Sequence, residues 1–253
     1  MLTINPLRKF PKIQPGDDLA LEIETALRMN SIHLVNGDIL AVTQKIVSKA
    51  EDRYVDLATI QPAKDAFDLA MLVGKDPRLV QVILNESNAI IRKRQGVLIA
   101  EHRLGFICAN AGVDHSNIDR SDGKELVLCL PVNPDESARN LHRHLSRNGE
   151  LQIGVIIIDS HGRAWRNGSV GITIGTYGVP MVVSKIGDTD FFGNELRATL
   201  IAAADQLAAA AALVMGEADE GTPIAHIRGF PFPLQKEAAF KDVLRPKEKD
   251  LFR

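Results

Sequence analysis

The chain has 253 residues, 45% hydrophobic and 25% charged, a balance that excludes a disordered tail, a collagen and a coiled coil and leaves one large domain or two small ones. Its 30 Lys and Arg nearly cancel its 32 Asp and Glu for a formal charge of -2, so no global field draws in nucleic acid or an anionic membrane, and any anion site must be local. With 9 Phe, 2 Tyr and 1 Trp there are too few aromatics for an array of base-stacking platforms.

In chain order, Pro15-Gly16-Asp17-Asp18 opens a helix whose Leu19, Ile23 and Leu27 form an apolar stripe behind an acidic first turn. Ile39 to Val42 reads as a strand, and the Thr43–Glu51 segment after it as either a phosphate cradle or a solvated charged turn. Helices are expected from Pro62 to Val73 and, capped by Asp76 with Pro77 in its first turn, on to Glu86. Strands follow at Val97–Ala100, Phe106–Ala109 and Leu126–Leu130, then a helix capped by Asn133 that runs to Asn148-Gly149. Val155–Ile158 is a fully apolar strand, residues 168–187 are glycine-punctuated strands or hairpins, and a long helix is expected from about Asn194 to Met215. Its alanines at 202–204 and 208–212 permit close packing against a neighbour. Helices and strands mix without strict alternation, which points to α+β, mixed sheets with packed helices. A division into two lobes, before Val155 or after Met215, is open.

Cys108 and Cys129 each sit in an apolar run, as buried free thiols do. No stretch resembles a secretory h-region or reaches the ~20 apolar residues of a membrane span. The expected setting is a reducing cytoplasm.

Four segments offer chemistry. Asp159 and Ser160 end the apolar strand, either presenting oxygens to a hard divalent cation or capping a turn. Asn110 to Asn117 supplies a glycine bend, Asp114 and two amides; Gln44, Lys45 and Lys49 supply phosphate-binding groups; and Gly216 and Gly221 bracket the acidic Glu217, Asp219 and Glu220. Acids near phosphate repel it unless a cation intervenes. Arg163 and Arg166 would either clamp an anion or lie at the surface with Trp165 packed beneath. His115 and His161 suit titration or a local hydrogen bond equally, while His142 and His144, two apart, face different sides of a helix. P-loop, GxGxxG, GxSxG and HExxH signatures are absent.

The ordered blocks GDDLA (16–20), GDILAVTQKIVSKAE (37–51), KDPRLVQVILNES (75–87), GFICANAGVDHSN (105–117), LPVNPDESAR (130–139), GVIIIDSHGRAWRNGSVG (154–171), DFFGNELRAT (190–199) and LVMGEADEG (213–221) closely resemble the coenzyme F420-0:L-glutamate ligase family, the F420 gamma-glutamyl ligases, in its stand-alone form without a following reductase-like domain. The resemblance implies a single ligase unit over 1–253 with an α+β fold unlike a P-loop domain, intertwined as a homodimer. It implies joining of L-glutamate to the phospholactate carboxylate of the deazaflavin precursor F420-0, with GTP hydrolysed to GDP and phosphate, and further glutamates added by γ-linkage. One or two divalent cations, Mn²⁺ or Mg²⁺, and K⁺ are implied as well.

Carried over by motif, the metal ligands would be Asp114, Asp159, Ser160 and Glu217. The nucleotide would be held by Phe10, Pro11, Lys12 and Ile13, by Gln44, Lys45 and Lys49, by Asn117, and by the loop Met215, Gly216, Glu217, Ala218, Asp219, Glu220, Gly221 and Thr222. Asp52 stands where the family often has glycine. The chemistry would be carboxylate phosphorylation to an acyl phosphate, displaced by the glutamate amine, with Arg163 and Arg166 holding substrate phosphate or carboxylates. The competing readings are a metal-dependent nucleotide phosphohydrolase and a non-catalytic nucleotide- or deazaflavin-binding dimer.

Overall fold

A computed structural model describes residues 1–119 and 123–251. Its centre is a five-stranded sheet in the order β1 (Thr3–Pro6), β12 (Ile224–Arg228), β2 (Ile39–Thr43), β8 (Gly154–Arg163), β9 (Arg166–Tyr177). β2 and β8 pair in parallel from Ile39 opposite Gly154 to Thr43 opposite Ile158, and every other neighbour in the sheet is antiparallel. Where they pair, the two strands are apolar, Ile39–Val42 and Val155–Ile158, and these side chains are buried on both faces, as interior parallel strands require.

α1 (Leu19–Met29), α2 (Gln44–Ala50), α5 (Pro134–Leu145) and α6 (Ala203–Met215) complete the main core around this sheet. The Asp18 carboxylate caps α1, accepting from the backbone N–H of Ala20 and Leu21, and Asn133 caps α5 through the N–H of Glu136. The alanines of α6 do lie close to a neighbour. At Gly171 on β9 a Cβ would fall 2.5 Å from the Ala208 carbonyl oxygen, so glycine on the strand and alanine on the helix together set the approach.

A second core collects residues 57–129. There α3 (Lys64–Val73) and α4 (Pro77–Asn85) pack with the ribbon β3 (Tyr54–Asp56) and β7 (Leu126–Leu128) and the sheet β4 (Ser87–Arg94), β5 (Val97–His102), β6 (Ile107–Ala109). Gly74, in the left-handed conformation, ends α3, and the Asp76 carboxylate caps α4. At the C-terminal end of α4 Arg53, His102 and Arg103 surround the Glu86 carboxylate.

Three expectations need correction. α6 begins at Ala203, not Asn194: Leu200 and Ile201 form β11 and pair with β10 (Val183–Ser184), and residues 188–196 are tied in turns by backbone hydrogen bonds. α5 stops at Leu145, after which Arg147, Asn148 and Gly149 have positive φ and cannot continue a helix. β8 runs on to Arg163, so Asp159 is a strand residue and caps no turn.

Candidate functional site

The site follows from where strands stop. β2 ends at Thr43, opposite Ile158, and turns into α2, while β8 continues, so Asp159 and Ser160 project beyond their last β2 partner, paired only to Ile172 and Gly171 of β9. β12 begins opposite Val42, with the Pro223 carbonyl accepting from Thr43 N–H at 2.9 Å, and Leu7 N–H donates to the Ile224 carbonyl at 2.8 Å as β1 ends. Hence α2, the end of β8, the 216–222 loop and the stretch after β1 all emerge at one end of the sheet. Four segments far apart in sequence meet there.

Lys45 Nζ lies 2.7 Å from Asp114 Oδ2 and donates to Ser116 Oγ at 2.6 Å. Lys49 Nζ donates to the Asn117 carbonyl at 2.7 Å, and Asn117 Nδ2 reaches the Ala218 carbonyl at 3.3 Å. Ser160 Oγ donates to Glu217 Oε1 at 2.7 Å, joining β8 to the residue after the α6 C-cap. Neighbours on a strand alternate faces, so Ser160 turns toward α6, as Gly171 across from it does, while Asp159 turns the other way, toward β6. On that side His161 Nε2 lies 2.8 Å from Asp159 Oδ2.

The electrostatics match this crowding. Burial opposes charge on Asp114, but hydrogen bonds from Lys45 and Ser116 outweigh it and hold the carboxyl below the usual aspartate range. Burial, then the charges of Lys45 and Lys12, pull Lys49 below a normal lysine. Lys12, Lys45 and Lys49 thus share one region of positive charge, which Asp119 partly offsets. Burial, reinforced by the Asp159 charge, pushes the Cys108 thiol up to about 12, which leaves it an inert neighbour of the site. The approach to Asp114 is strained, since Asn110, Ala111 and Gly112 all have positive φ, costly for the two non-glycine residues.

Several residues behave differently from their neighbours. The Gln44 side chain is buried and accepts from Ser48 Oγ at 2.9 Å, and Ile13 is buried in the main core with Phe10 packed against it. The 216–222 loop is self-braced: Ala218 N–H donates to Glu220 Oε2 at 2.8 Å, Thr222 Oγ1 donates to the Met215 carbonyl at 2.6 Å, and a Cβ on Gly216 would overlap the Glu220 carboxylate. Arg163 and Arg166 pair across the tip of the β8–β9 hairpin, about 13 Å along the strand from Asp159 at ~3.3 Å per residue. Trp165 at that tip is 87% exposed.

The donors suit a hard divalent cation in kind, because Asp114, Asp159, Glu217 and Ser160 offer only oxygen. Among the described residues, no three His, Cys, Asp or Glu side chains form a ready ligand set. Asp114 is instead engaged by Lys45, Asp159 by His161 and Glu217 by Ser160. His161 is the site residue that the sequence left ambiguous; its spacing of two from Asp159 on a strand was the available signal.

Residues 8–229 match the family model described as F420-0:Gamma-glutamyl ligase. The chain belongs to this family. It is 44% identical over 245 residues to the coenzyme F420:L-glutamate ligase of Methanothermobacter thermautotrophicus, covering 96% of each chain. It is 43% identical to the protein of that name from Methanopyrus kandleri, covering 100% of this chain and 98% of the relative. The matched region takes in every segment at the sheet end, from Phe10 to Thr222. Among the described residues no helix is long and apolar enough to cross a membrane.

Proposed function

We propose that this chain is a GTP-dependent ligase that joins L-glutamate to the carboxylate of coenzyme F420-0 and extends the product by γ-linked glutamates, releasing GDP and phosphate. The observation that carries the reading is the convergence of Lys45, Lys49, Asp114, Asn117, Asp159, Ser160 and Glu217 at one sheet end, in a chain whose relatives carry the name coenzyme F420:L-glutamate ligase.

A carboxylate is a poor acyl donor, so the acceptor's carboxylate attacks the γ-phosphorus of GTP, giving an acyl phosphate and GDP. The glutamate amine then attacks the acyl carbon, loses a proton, and expels phosphate. Lys45 and Lys49, with Lys12 close by, neutralise the triphosphate; Lys45 exchanges its Asp114 partner for phosphate oxygens. Asn117 and the 216–222 loop hold the nucleoside end, where backbone groups are already fixed by Glu220 and Thr222. Asp114, Asp159, Ser160 and Glu217 would hold one or two Mn²⁺ or Mg²⁺ ions, which when bound offset charge on the phosphates during transfer. K⁺ is a further requirement of this reading. Arg163 and Arg166, out on the hairpin, take substrate phosphate or carboxylates.

The chain acts in the cytoplasm as an intertwined homodimer. The exposed Phe191, Phe192, Leu200 and Leu213 support that assembly, as apolar side chains that a second copy would cover. The test is GTP turnover with the acceptor and glutamate each left out. Turnover that needs both supports the ligase; undiminished turnover without them makes the chain a phosphohydrolase, and nucleotide binding without turnover makes it a binding protein.

A further inference from the structure

Asp159 can present an oxygen to a ligand only if its side chain is held, because a strand carboxylate at an open edge is free to choose among rotamers. The partner that holds it is His161. The two are i and i+2 on β8 and so share a face, and Nε2 lies 2.8 Å from Oδ2. A carboxylate only accepts, so the imidazole Nε2–H is the donor.

The ring is itself fixed. His161 is buried, and its ring packs against Phe106 with centroids 5.2 Å apart. Phe106 is held in turn by a stacked contact with buried His102 at 5.1 Å and an edge contact with Phe240 at 5.6 Å. The direction of the Asp159 carboxylate is therefore set by a chain of packed rings reaching into the core. Among the described residues, His161 is the side chain hydrogen-bonded to Asp159.

We propose that His161 is a positioning residue for Asp159: its hydrogen bond pins Oδ2 and so leaves the other carboxylate oxygen aimed at the divalent cation. This rests on the reading of Asp159 as a cation ligand. Hydrogen-bonded partners of metal ligands typically contribute 10–100-fold in metal affinity, and the ring-locked geometry puts His161 in that class.

The test measures Mn²⁺ affinity of the nucleotide-free protein by calorimetry or electron paramagnetic resonance, beside thermal midpoints. His161→Phe keeps a ring against Phe106 but has no donor, and should bind Mn²⁺ 10–100-fold more weakly. His161→Gln places an amide donor near the same spot and should stay within about threefold of wild type, a rescue that a purely packing role would not give. If His161→Phe fails to fold, His161→Met carries the same expectation as Phe. In turnover, both donor-less variants should raise the Mn²⁺ concentration for half-maximal rate while kcat at saturating metal changes little. Wild-type Mn²⁺ affinity in His161→Phe, alongside lost affinity in Asp159→Asn, overturns the positioning role alone. Undiminished affinity in Asp159→Asn overturns the ligand reading and the inference with it.

Discussion

Replacing Glu86 by Gln removes the one negative charge in a knot of three potential cations. Its Oε1 accepts from Arg53 at 3.0 Å, its Oε2 from Arg103 at 2.9 Å, with His102 Nε2 at 3.4 Å, and the side chain is only 13% exposed. Burial raises the carboxyl's pKa, but His102, Arg103 and Arg53 together overcome it and bring it from 4.5 down to about 2. A depressed acid stabilises the fold above its unfolded value and loses that contribution as pH falls. The loss therefore runs from about pH 4.5 to about pH 2, and at ~1.4 kcal/mol per unit it amounts to roughly 3 kcal/mol. Near neutral pH Glu86→Gln should lower stability by about that amount, or about 6 to 12 °C in melting temperature for a chain of this length. Chemical denaturation at pH 7 and at several points between pH 5 and 3 provides the measurement. Wild type should lose stability steeply over that range, and the variant should lose distinctly less. A variant within 1 °C of wild type at pH 7, or one with the same acid slope, would refute the assignment of this stability to Glu86.

Gly171→Ala drives a Cβ into the Ala208 carbonyl and the Ala212 methyl. It should cost about 1–3 kcal/mol and, by displacing the helix that leads to Glu217, weaken metal binding; an unchanged urea midpoint would contradict the close-packing account. Arg163→Lys and Arg166→Lys should each raise the KM for acceptor or glutamate with little change in kcat, since lysine lacks the bidentate fork. Unchanged KM values for both substrates would remove the hairpin arginines from the substrate site.

Elements with local signals were legible in the sequence. Asp18, Asp76 and Asn133 announced the helices they cap, and the apolar Ile39–Val42 and Val155–Ile158 runs became the buried parallel pair. What stayed hidden depended on distant partners. Nothing near Asp38 foretells that it lies buried against Arg228 and His226, from a strand far along the chain. The start of α6 was misread because the pairing of Leu200 with Ser184 overrides a helical pattern. The end of β8 was misread because β9, not the local sequence, prolongs it past Asp159. At the candidate site, residue types marked segments that the fold brings together, but the Lys45–Asp114, Asn117–Ala218 and Ser160–Glu217 contacts came only from the sheet that gathers their loops.

The central claim is that these gathered residues carry out glutamyl transfer. The direct measurement is mass spectrometry of the deazaflavin after incubation with F420-0, GTP, Mn²⁺ and L-glutamate, run with the wild-type chain and with Asp159→Asn. The account predicts mass increments of whole glutamyl units with wild type and at least a hundredfold fewer with the variant, on the order of 3 kcal/mol in the barrier. No increment with wild type, or full activity in Asp159→Asn, would contradict it.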